Sequence, residues 1–329
     1  MKTKRHNTLL LMILMFGALL LGNYGSSQSG ELGHYVPGVA SIRDFIVPAP
    51  GFYYAQYHVF YNTDSYRDRN GNSVSSITIG DQTLTVEADV NVFALVPTFI
   101  WVSEEKLLGA NYGLFISPTL TNTSLQASLS TETRFGRSID DSQFGLGDLY
   151  MRPLWLGWNS TNYALSAGYG FYLPVGKYDD GADDNTGLGF WTHEFQASGT
   201  WFPWEHQGTA VMLAGTYEIH HNKEGADITP GDRFSMDWGF SQYLPLTKDQ
   251  NLLAELGFIG YNQWQVAEDS GSDVHDVLKV KDQLHGVGTQ LGLAYVPWNA
   301  SLTFRYMNEY NAEARFEGDL ITVTFAKGF

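Results

Sequence analysis

The chain alternates apolar and polar side chains over thirteen positions, Leu84-Thr-Val-Glu-Ala-Asp-Val-Asn-Val-Phe-Ala-Leu-Val96. Successive side chains of a β-strand leave opposite faces, so the apolar residues share one face and Glu87, Asp89 and Asn91 share the other. One face requires an apolar medium and the other requires water or polar partners. A half-buried strand of a soluble β-sandwich has this pattern. A strand of a membrane barrel also has it, because about ten tilted residues cross a bilayer.

The N-terminus has the features of a secretory signal peptide. Basic residues within positions 1–5 precede a short apolar run at positions 9–21, as in the charged and hydrophobic regions of such signals. We assign residues 1–27 to the signal peptide, with cleavage near Ser27, and the alternative is an uncleaved N-terminal anchor. No later apolar run is long enough for a transmembrane helix, so any membrane role requires a β-barrel.

The composition excludes several classes of protein. The chain has no cysteine, which excludes a disulfide scaffold, a thiolate metal site and a cysteine nucleophile. Its net charge of −16 becomes −19 once Lys2, Lys4 and Arg5 leave with the signal peptide, so nucleic acid is not expected as a partner. We expect no cofactor. The 35 glycines and the 15% aromatic content fit many short strands with tight turns and interfacial aromatic girdles.

Runs of period two, bounded by turn residues, predict twelve strands. They are residues 52–62, 84–102, 109–118, 146–157, 162–173, 189–202, 209–220, 233–244, 251–266, 284–296, 300–310 and 316–329. Short connections alternate with longer ones along the chain, as at the two ends of an outer-membrane barrel. We therefore predict an all-β, antiparallel, up-and-down transmembrane β-barrel over residues 52–329. Residues 119–145 either extend two strands or form an extra hairpin, which leaves a range of 10–14 strands.

The two faces of each predicted strand differ in polarity. The expected lipid-facing positions include Tyr57, Val59 and Tyr61 in the first strand and Leu213 in the seventh. Since charges are costly in lipid, the polar positions are assigned to the lumen. The lumen-lining residues of a possible pathway are Glu87, Asp89, Asn91, Asp148, Arg152, Glu194, Glu218, Asp237, Glu255, Arg305 and Glu309. The alternative is a paired network with Arg152 and Arg305 that fills a narrow barrel.

Residues 28–51 are too rich in proline to form a strand. They are expected either to fold into the barrel as a gate or to remain a periplasmic leader. The possible gate residues are Val36, Pro37, Arg43, Asp44 and Phe45.

The remaining candidate residues concern assembly and metal binding. The last strand alternates and ends on the aromatic Phe329, which is typical of the signal read by the barrel-assembly machinery. We expect no metal site, because neighbours on a strand such as His220 and His221 point to opposite faces.

Short motifs spread over the mature chain resemble one known family. They include Gly33-His-Tyr-Val-Pro-Gly38, Pro48-Ala-Pro-Gly-Phe-Tyr53, Gly145-Leu-Gly-Asp148, Pro174-Val-Gly-Lys-Tyr-Asp179 and Pro230-Gly-Asp-Arg-Phe234. In their order they resemble the MetA-type outer-membrane family of the meta-pathway of phenol degradation, whose members are often named as transporters. The resemblance implies an exported barrel and a hydrophobic or aromatic permeant, and it supplies no catalytic residues.

These observations predict a barrel in the outer membrane of a Gram-negative bacterium. The expected function is a passive channel or transporter for small hydrophobic or aromatic compounds, and not an enzyme. An outer-membrane lipid hydrolase and a non-conducting structural or adhesive barrel are the alternatives. The expected partners are outer-membrane lipid and lipopolysaccharide, the barrel-assembly machinery and the small-molecule permeant.

Overall fold

The computed structural model describes residues 33–79, 82–131, 134–180, 185–274 and 279–329. The predicted signal peptide, residues 1–27, lies outside this part, as do residues 28–32. The strands are β1 (Gly51–Arg67), β2 (Ser76–Ile79), β3 (Gln82–Leu107), β4 (Ala110–Ser117), β5 (Leu120–Thr131), β6 (Arg134–Leu146), β7 (Leu149–Asn159), β8 (Tyr163–Leu173), β9 (Thr192–Trp201), β10 (Thr209–His220), β11 (Arg233–Pro245), β12 (Leu252–Gln265), β13 (Gln283–Tyr295), β14 (Ala300–Glu313) and β15 (Arg315–Gly328).

The strands form a closed antiparallel barrel. From β7 to β15 each strand pairs with the next, and β15 pairs with β1, which in turn pairs with β3. The β1–β15 and β1–β3 pairs close the wall into a ring, and among the described strands only β2 and β6 pair with a single neighbour. The predicted all-β, up-and-down barrel is confirmed.

The barrel has twelve strands, because two of them are interrupted and the short β2, which pairs only with β3, is not counted as a strand of the wall. Strands β4 and β5 follow one another along β3, and β6 and β7 follow one another along β5 and β4. The interruptions at residues 118–119 and 147–148 are adjacent, and the Gly147 N–H donates to the Thr119 carbonyl at 2.8 Å. Residues 119–145 therefore extend the third and fourth barrel strands, which was one of the two predicted possibilities.

The two ends of the barrel differ in their connections. One end, called the turn side, carries short connections, at residues 108–109, 160–162, 202–208, 246–251 and 296–299. The other end, called the loop side, includes the connections 174–191, 221–232 and 266–282. The predicted long connection 63–83 is shorter than expected, because β1 continues to Arg67 and β3 begins at Gln82.

The outer face of most of the wall is apolar. Along β10 the residues alternate between buried and exposed, and Leu213 is 54% exposed. Large apolar side chains continue this outer band on β11 and β14, for example Phe240 and Phe304. Side chains this apolar are stable on an outer surface only against another apolar phase. No helix in the described residues is long and apolar enough to cross a membrane.

The predicted faces of the first two barrel strands are wrong. Tyr57, Val59 and Tyr61 pack against the interior apolar cluster, together with Ala94 of β3. These positions face the lumen, because Val59 is also paired with the buried Thr322 of β15. The pattern specifies only that the two faces differ, and the apolar face here meets apolar partners inside the barrel.

Asp89 and Asn91, expected in the lumen, instead lie exposed on the outer face of β3. Asn91 is paired with Asn62 of β1, and Asn62 is paired with Asp319 of β15. The Asn62 amide donates to Asn91 at 2.6 Å, and the Asn91 amide donates to Asp89 at 2.6 Å. This outer polar belt faces outward on the loop side of the apolar band. The side chain of Glu87 lies outside the described part of the structure.

Candidate functional site

Residues 33–50, called the interior segment, lie inside the barrel. Ile42 and Phe45 of this segment are buried in one cluster with inward residues of the wall such as Met212 and Met307. The segment runs from the loop side, where His34 contacts Thr192 at the start of β9, to the turn side, where Val47 contacts Asn159 at the end of β7.

Hydrogen bonds to acidic side chains hold the loop-side part of the interior segment. The Tyr35 N–H donates to Glu218 at 2.8 Å, and the Tyr35 hydroxyl donates to Asp237 at 2.7 Å. The Gly38 N–H donates to the other oxygen of Asp237 at 2.7 Å. Burial, reinforced by the Asp237 charge, raises the pKa of the Tyr35 phenol well above its usual value. Tyr35 therefore remains a hydrogen-bond donor at physiological pH.

Gly38 of the interior segment packs closely against the Tyr261 ring of β12. Its φ of +78° is in the left-handed region, and a Cβ there would lie 2.9 Å from the Tyr261 ring. Only glycine combines this backbone conformation with so close an approach. The turn lets the segment pass between Asp237 and Tyr261 across the barrel.

Arg43 anchors the turn-side part of the interior segment. Its guanidinium donates to Glu255 at 2.9 Å and to the carbonyls of Gln207 and Gly208 at 3.2 and 2.9 Å. It also lies over the Tyr243 ring at 4.0 Å. Charge-assisted hydrogen bonds of this kind are about twice as strong as neutral ones.

The two arginines of the predicted internal network have different partners. Arg152 forms an ion pair with Glu194 in the wall and donates to Gln196 at 2.7 Å. Arg305 is 0% exposed, and it lies 3.9 Å from Asp44 of the interior segment. Arg152 therefore links β7 to β9 across the intervening β8, whereas Arg305 faces the interior segment.

The structure brings most of the predicted lumen residues together. Those found buried on the inward side are Asp148, Arg152, Glu194, Glu218, Asp237, Glu255, Arg305 and Glu309. Of the possible gate residues, Pro37 and Phe45 are buried, Arg43 and Asp44 are partly buried, and Val36 is exposed. Phe329, the possible assembly signal, is exposed at the turn side.

Sequence reasoning missed the contact residues of the interior segment itself. His34 and Tyr35 were quoted only as part of a family motif, yet both bind acidic side chains of the wall. Ile42 and Val47 were also missed, and both are fully buried. A useful signal was the apolar face of Leu84-to-Val96, which required an apolar partner on whichever side it faced.

The interior segment fills the lumen at its middle. Met307 and Leu320, which belong to the same buried cluster as Ile42, are almost completely inaccessible to solvent, and an open passage beside them would expose them. A cavity of about 60 Å³ lies nearer the turn side, between Arg43, Asp44, Tyr243 and Glu255. It is large enough for water.

A closed barrel with an apolar outer band defines an outer-membrane β-barrel protein of a Gram-negative bacterium. The chain belongs to the family described as "Putative MetA-pathway of phenol degradation", whose model matches residues 63–325. The family suggested by the sequence motifs is confirmed.

The chain is similar to several solved outer-membrane structures at low sequence identity. The outer membrane channel from Pseudomonas putida F1 is 16% identical, with 90% of this chain and 100% of that chain covered and a TM-score of 0.60. The β domain of the Bordetella autotransporter BrkA is 9% identical, with 85% and 100% covered and a TM-score of 0.46. The transport unit of the autotransporter AIDA-I from Escherichia coli is 9% identical, with 84% and 89% covered and a TM-score of 0.45. No curated protein matches this chain.

Proposed function

We propose that this protein is a passive outer-membrane channel for small hydrophobic or aromatic molecules, gated by its interior segment. The observation that carries the proposal is the path of residues 33–50 through the barrel, from His34 at the loop side to Val47 at the turn side. A segment that follows the axis of the lumen opens a passage when it moves. The Pseudomonas putida F1 structure, which has the same fold, is described as a channel.

Aromatic side chains support the proposed class of permeant. Tyr150 and Tyr172 lie with their ring centroids 4.4 Å apart on the inward side, and Tyr172 stacks on His34 at 4.6 Å. Tyr261 contributes another inward ring deeper in the barrel. When His34 withdraws, the exposed ring faces offer stacking surfaces to an aromatic molecule. The family description, which refers to phenol degradation, agrees with this class.

The bonds between segment and wall suggest how the gate opens. Much of the attachment is polar, through Tyr35, Gly38 and Arg43. Water can replace such bonds when the segment moves, so each contributes only about 0.5–3 kcal/mol net. The apolar contacts of Ile42, Phe45 and Val47 favour the closed state, because their burial is worth roughly 2 kcal/mol each.

Replacing Arg43 tests the gate without altering the barrel wall. Arg43→Ala removes the bonds to Glu255 and to two turn carbonyls. If this costs the closed state about 2 kcal/mol, the open fraction rises roughly thirtyfold. Single-channel recordings in planar bilayers measure this fraction. Arg67→Ala is the matched control, because Arg67 pairs with Glu317 away from the interior segment, and its open fraction should equal that of the original protein.

Deletion of residues 28–50 is the more drastic test. The shortened barrel should conduct continuously, and cells that carry it should take up phenol faster than cells with the full chain. The proposal is wrong if neither the deletion nor Arg43→Ala increases conductance or uptake. A non-conducting structural barrel would then be favoured.

The proposed role is not enzymatic. Incubation of the purified protein with outer-membrane lipids, followed by mass analysis, should return the lipids unchanged, whereas released fatty acids would favour a lipid hydrolase. We propose membrane lipid, lipopolysaccharide and the barrel-assembly machinery as its partners in the cell.

A further inference from the structure

We propose that His34, Glu218 and His220 form a binding site for a transition-metal dication, best fitted by Zn²⁺, inside the barrel. One ligating atom from each of these residues lies within 4.8 Å of the other two. Glu218 and His220 are two positions apart on β10 and therefore share its inward face. His34 comes from the interior segment, so the site joins that segment to the wall.

The ligand types suit zinc. Two imidazoles and one carboxylate are a common set of protein ligands for Zn²⁺, with a fourth position left for water or another donor. Harder ions such as Ca²⁺ and Mg²⁺ prefer oxygen ligands only. The adjacent His221 is exposed and contributes nothing here. The proposed site differs from the sequence expectation of no metal site, because its third ligand comes from the interior segment and not from the same strand.

Unpartnered polar atoms point to a missing ligand. Glu218 is 1% exposed and His220 is 5% exposed. Within the described structure, Glu218 Oε2 and His220 Nε2 have no hydrogen-bond partner. A buried carboxylate oxygen or imidazole nitrogen without a partner costs about 1–3 kcal/mol, so such atoms are uncommon in proteins. A cation bound by both atoms would remove this cost.

The surrounding hydrogen bonds present the imidazoles in a form that binds metal. Thr192 Oγ lies 2.7 Å from His34 Nδ1 and 2.8 Å from His220 Nδ1. We assign the His220 Nδ1–H as donor to Thr192, and the Thr192 hydroxyl as donor to His34. Both imidazoles are then neutral, and His220 Nε2 carries a free lone pair.

Asp148 provides the outer support that metal-binding histidines usually have. Its Oδ2 lies 3.0 Å from His34 Nε2. Assigned as acceptor from the Nε2–H, Asp148 fixes the tautomer of His34 whose Nδ1 lone pair faces Thr192, on the side of His220. A metal at Nδ1 would replace the Thr192 hydroxyl as its partner. The carboxylates of Asp148 and Glu218 supply two negative charges near the cation.

The nearby positive charge is already compensated. The side chain of Arg233 lies beside Gly33, as that of Glu218 does, and it forms an ion pair with Asp282. Its charge therefore opposes the dication less than an isolated arginine would.

The test measures Zn²⁺ binding to the full-length mature protein, refolded in detergent without a histidine tag. A second histidine pair requires a modified background, since His193 Nε2 and His221 Nε2 lie 3.0 Å apart on the exposed face and could bind Zn²⁺ themselves. His193→Ala with His221→Ala removes this pair. Equilibrium dialysis against zinc chloride should then give one ion per chain, and cobalt chloride should give the visible absorption of tetrahedral Co²⁺.

Three variants in this background test the two ligands on β10 and the supporting residue Asp148. His220→Ala and Glu218→Gln should each weaken Zn²⁺ binding by at least a hundredfold, and Asp148→Asn by roughly 10–100-fold. His206→Ala, which changes an exposed turn residue, should leave the affinity unchanged.

His34→Ala guards against misfolded variants, because His34 lies outside the barrel wall. Its loss should abolish the cobalt absorption while the barrel keeps its heat-modifiable migration on detergent gels. The proposal is overturned if the background protein binds no Zn²⁺. It is equally overturned if His34→Ala and His220→Ala bind the ion as tightly as the background. Channel recordings play no part in this measurement, so failure of the gate would leave its result intact.

Discussion

Asp282 lies between two guanidinium groups at the loop side. Arg233 Nη1 donates to its Oδ1 at 2.8 Å, and Arg315 Nη1 donates to the same oxygen at 3.1 Å. Burial alone would raise the pKa of the Asp282 carboxyl, but the charges of Arg233 and Arg315 hold this pKa below its usual value. The ionised carboxylate thus joins β11 and β15 through the loop before β13.

Asp282→Asn should destabilise the barrel by about 3–5 kcal/mol at neutral pH, because two arginines lose their shared charge partner. A lowered folded-state pKa stabilises the protein above the unfolded pKa of about 4, and this stability is lost as the pH falls through the folded value. The difference from the original protein should therefore shrink below pH 4. Urea unfolding followed by tryptophan fluorescence measures it. Glu224→Gln, on an exposed loop, should behave like the original protein at every pH.

Chemical labelling can test which residues of β3 face outward, since the structure reverses the faces predicted from the sequence for β1 and β3. The chain has no cysteine, so single cysteines can be introduced without interference. Asn91→Cys should react with a membrane-impermeant maleimide on whole cells, because Asn91 faces outward in the outer polar belt. Val92→Cys, one position along, should react much more slowly because it faces inward. Equal reactivity at both positions would contradict the assigned faces.

The periodicity of the sequence predicted the positions of the barrel strands well. It predicted which side chains face inward and which face outward only in part. The predicted segments match the strands because a period of two and the turn residues are local properties. Leu213 was placed correctly on the outer face because the inward positions of the same strand include the polar Thr216 and Glu218. Tyr57 and Val59 were placed wrongly, since their environment depends on Ile42, more than ten residues earlier in the sequence. Such a contact leaves no periodic signal in either segment.

The last strand offers a test of assembly. Phe329 is 80% exposed, and apart from its backbone bond to Phe52 it contacts mainly the Lys327 ammonium group. Phe329→Ala should therefore change the stability of the folded barrel very little. If the side chain is an assembly signal, the fraction of heat-modifiable protein in outer membranes should fall severalfold. Refolding of the same variant in detergent should proceed normally, and a similar loss there would assign Phe329 a structural role.

The molecule as a whole is a barrel packed around its own N-terminal residues. Polar groups of the interior segment form hydrogen bonds with side chains of the wall. Its apolar groups pack in one core with residues from β1, β10, β12 and β14. A barrel of twelve strands is wide enough to contain a single segment of chain with its turns. The proposed channel and the proposed metal site both depend on this arrangement, one on release of the segment and the other on its attachment.

The position of the interior segment also constrains the order of folding. The segment leads directly into β1, and β1 closes the barrel against β15, which follows the other described strands in the sequence. Tyr61 bonds to Glu309 across 248 positions of sequence. Once the seam between β1 and β15 is formed, the segment can reach its site only by threading through an open end. Docking before closure avoids that step, so the segment can act as the template around which the final seam is made.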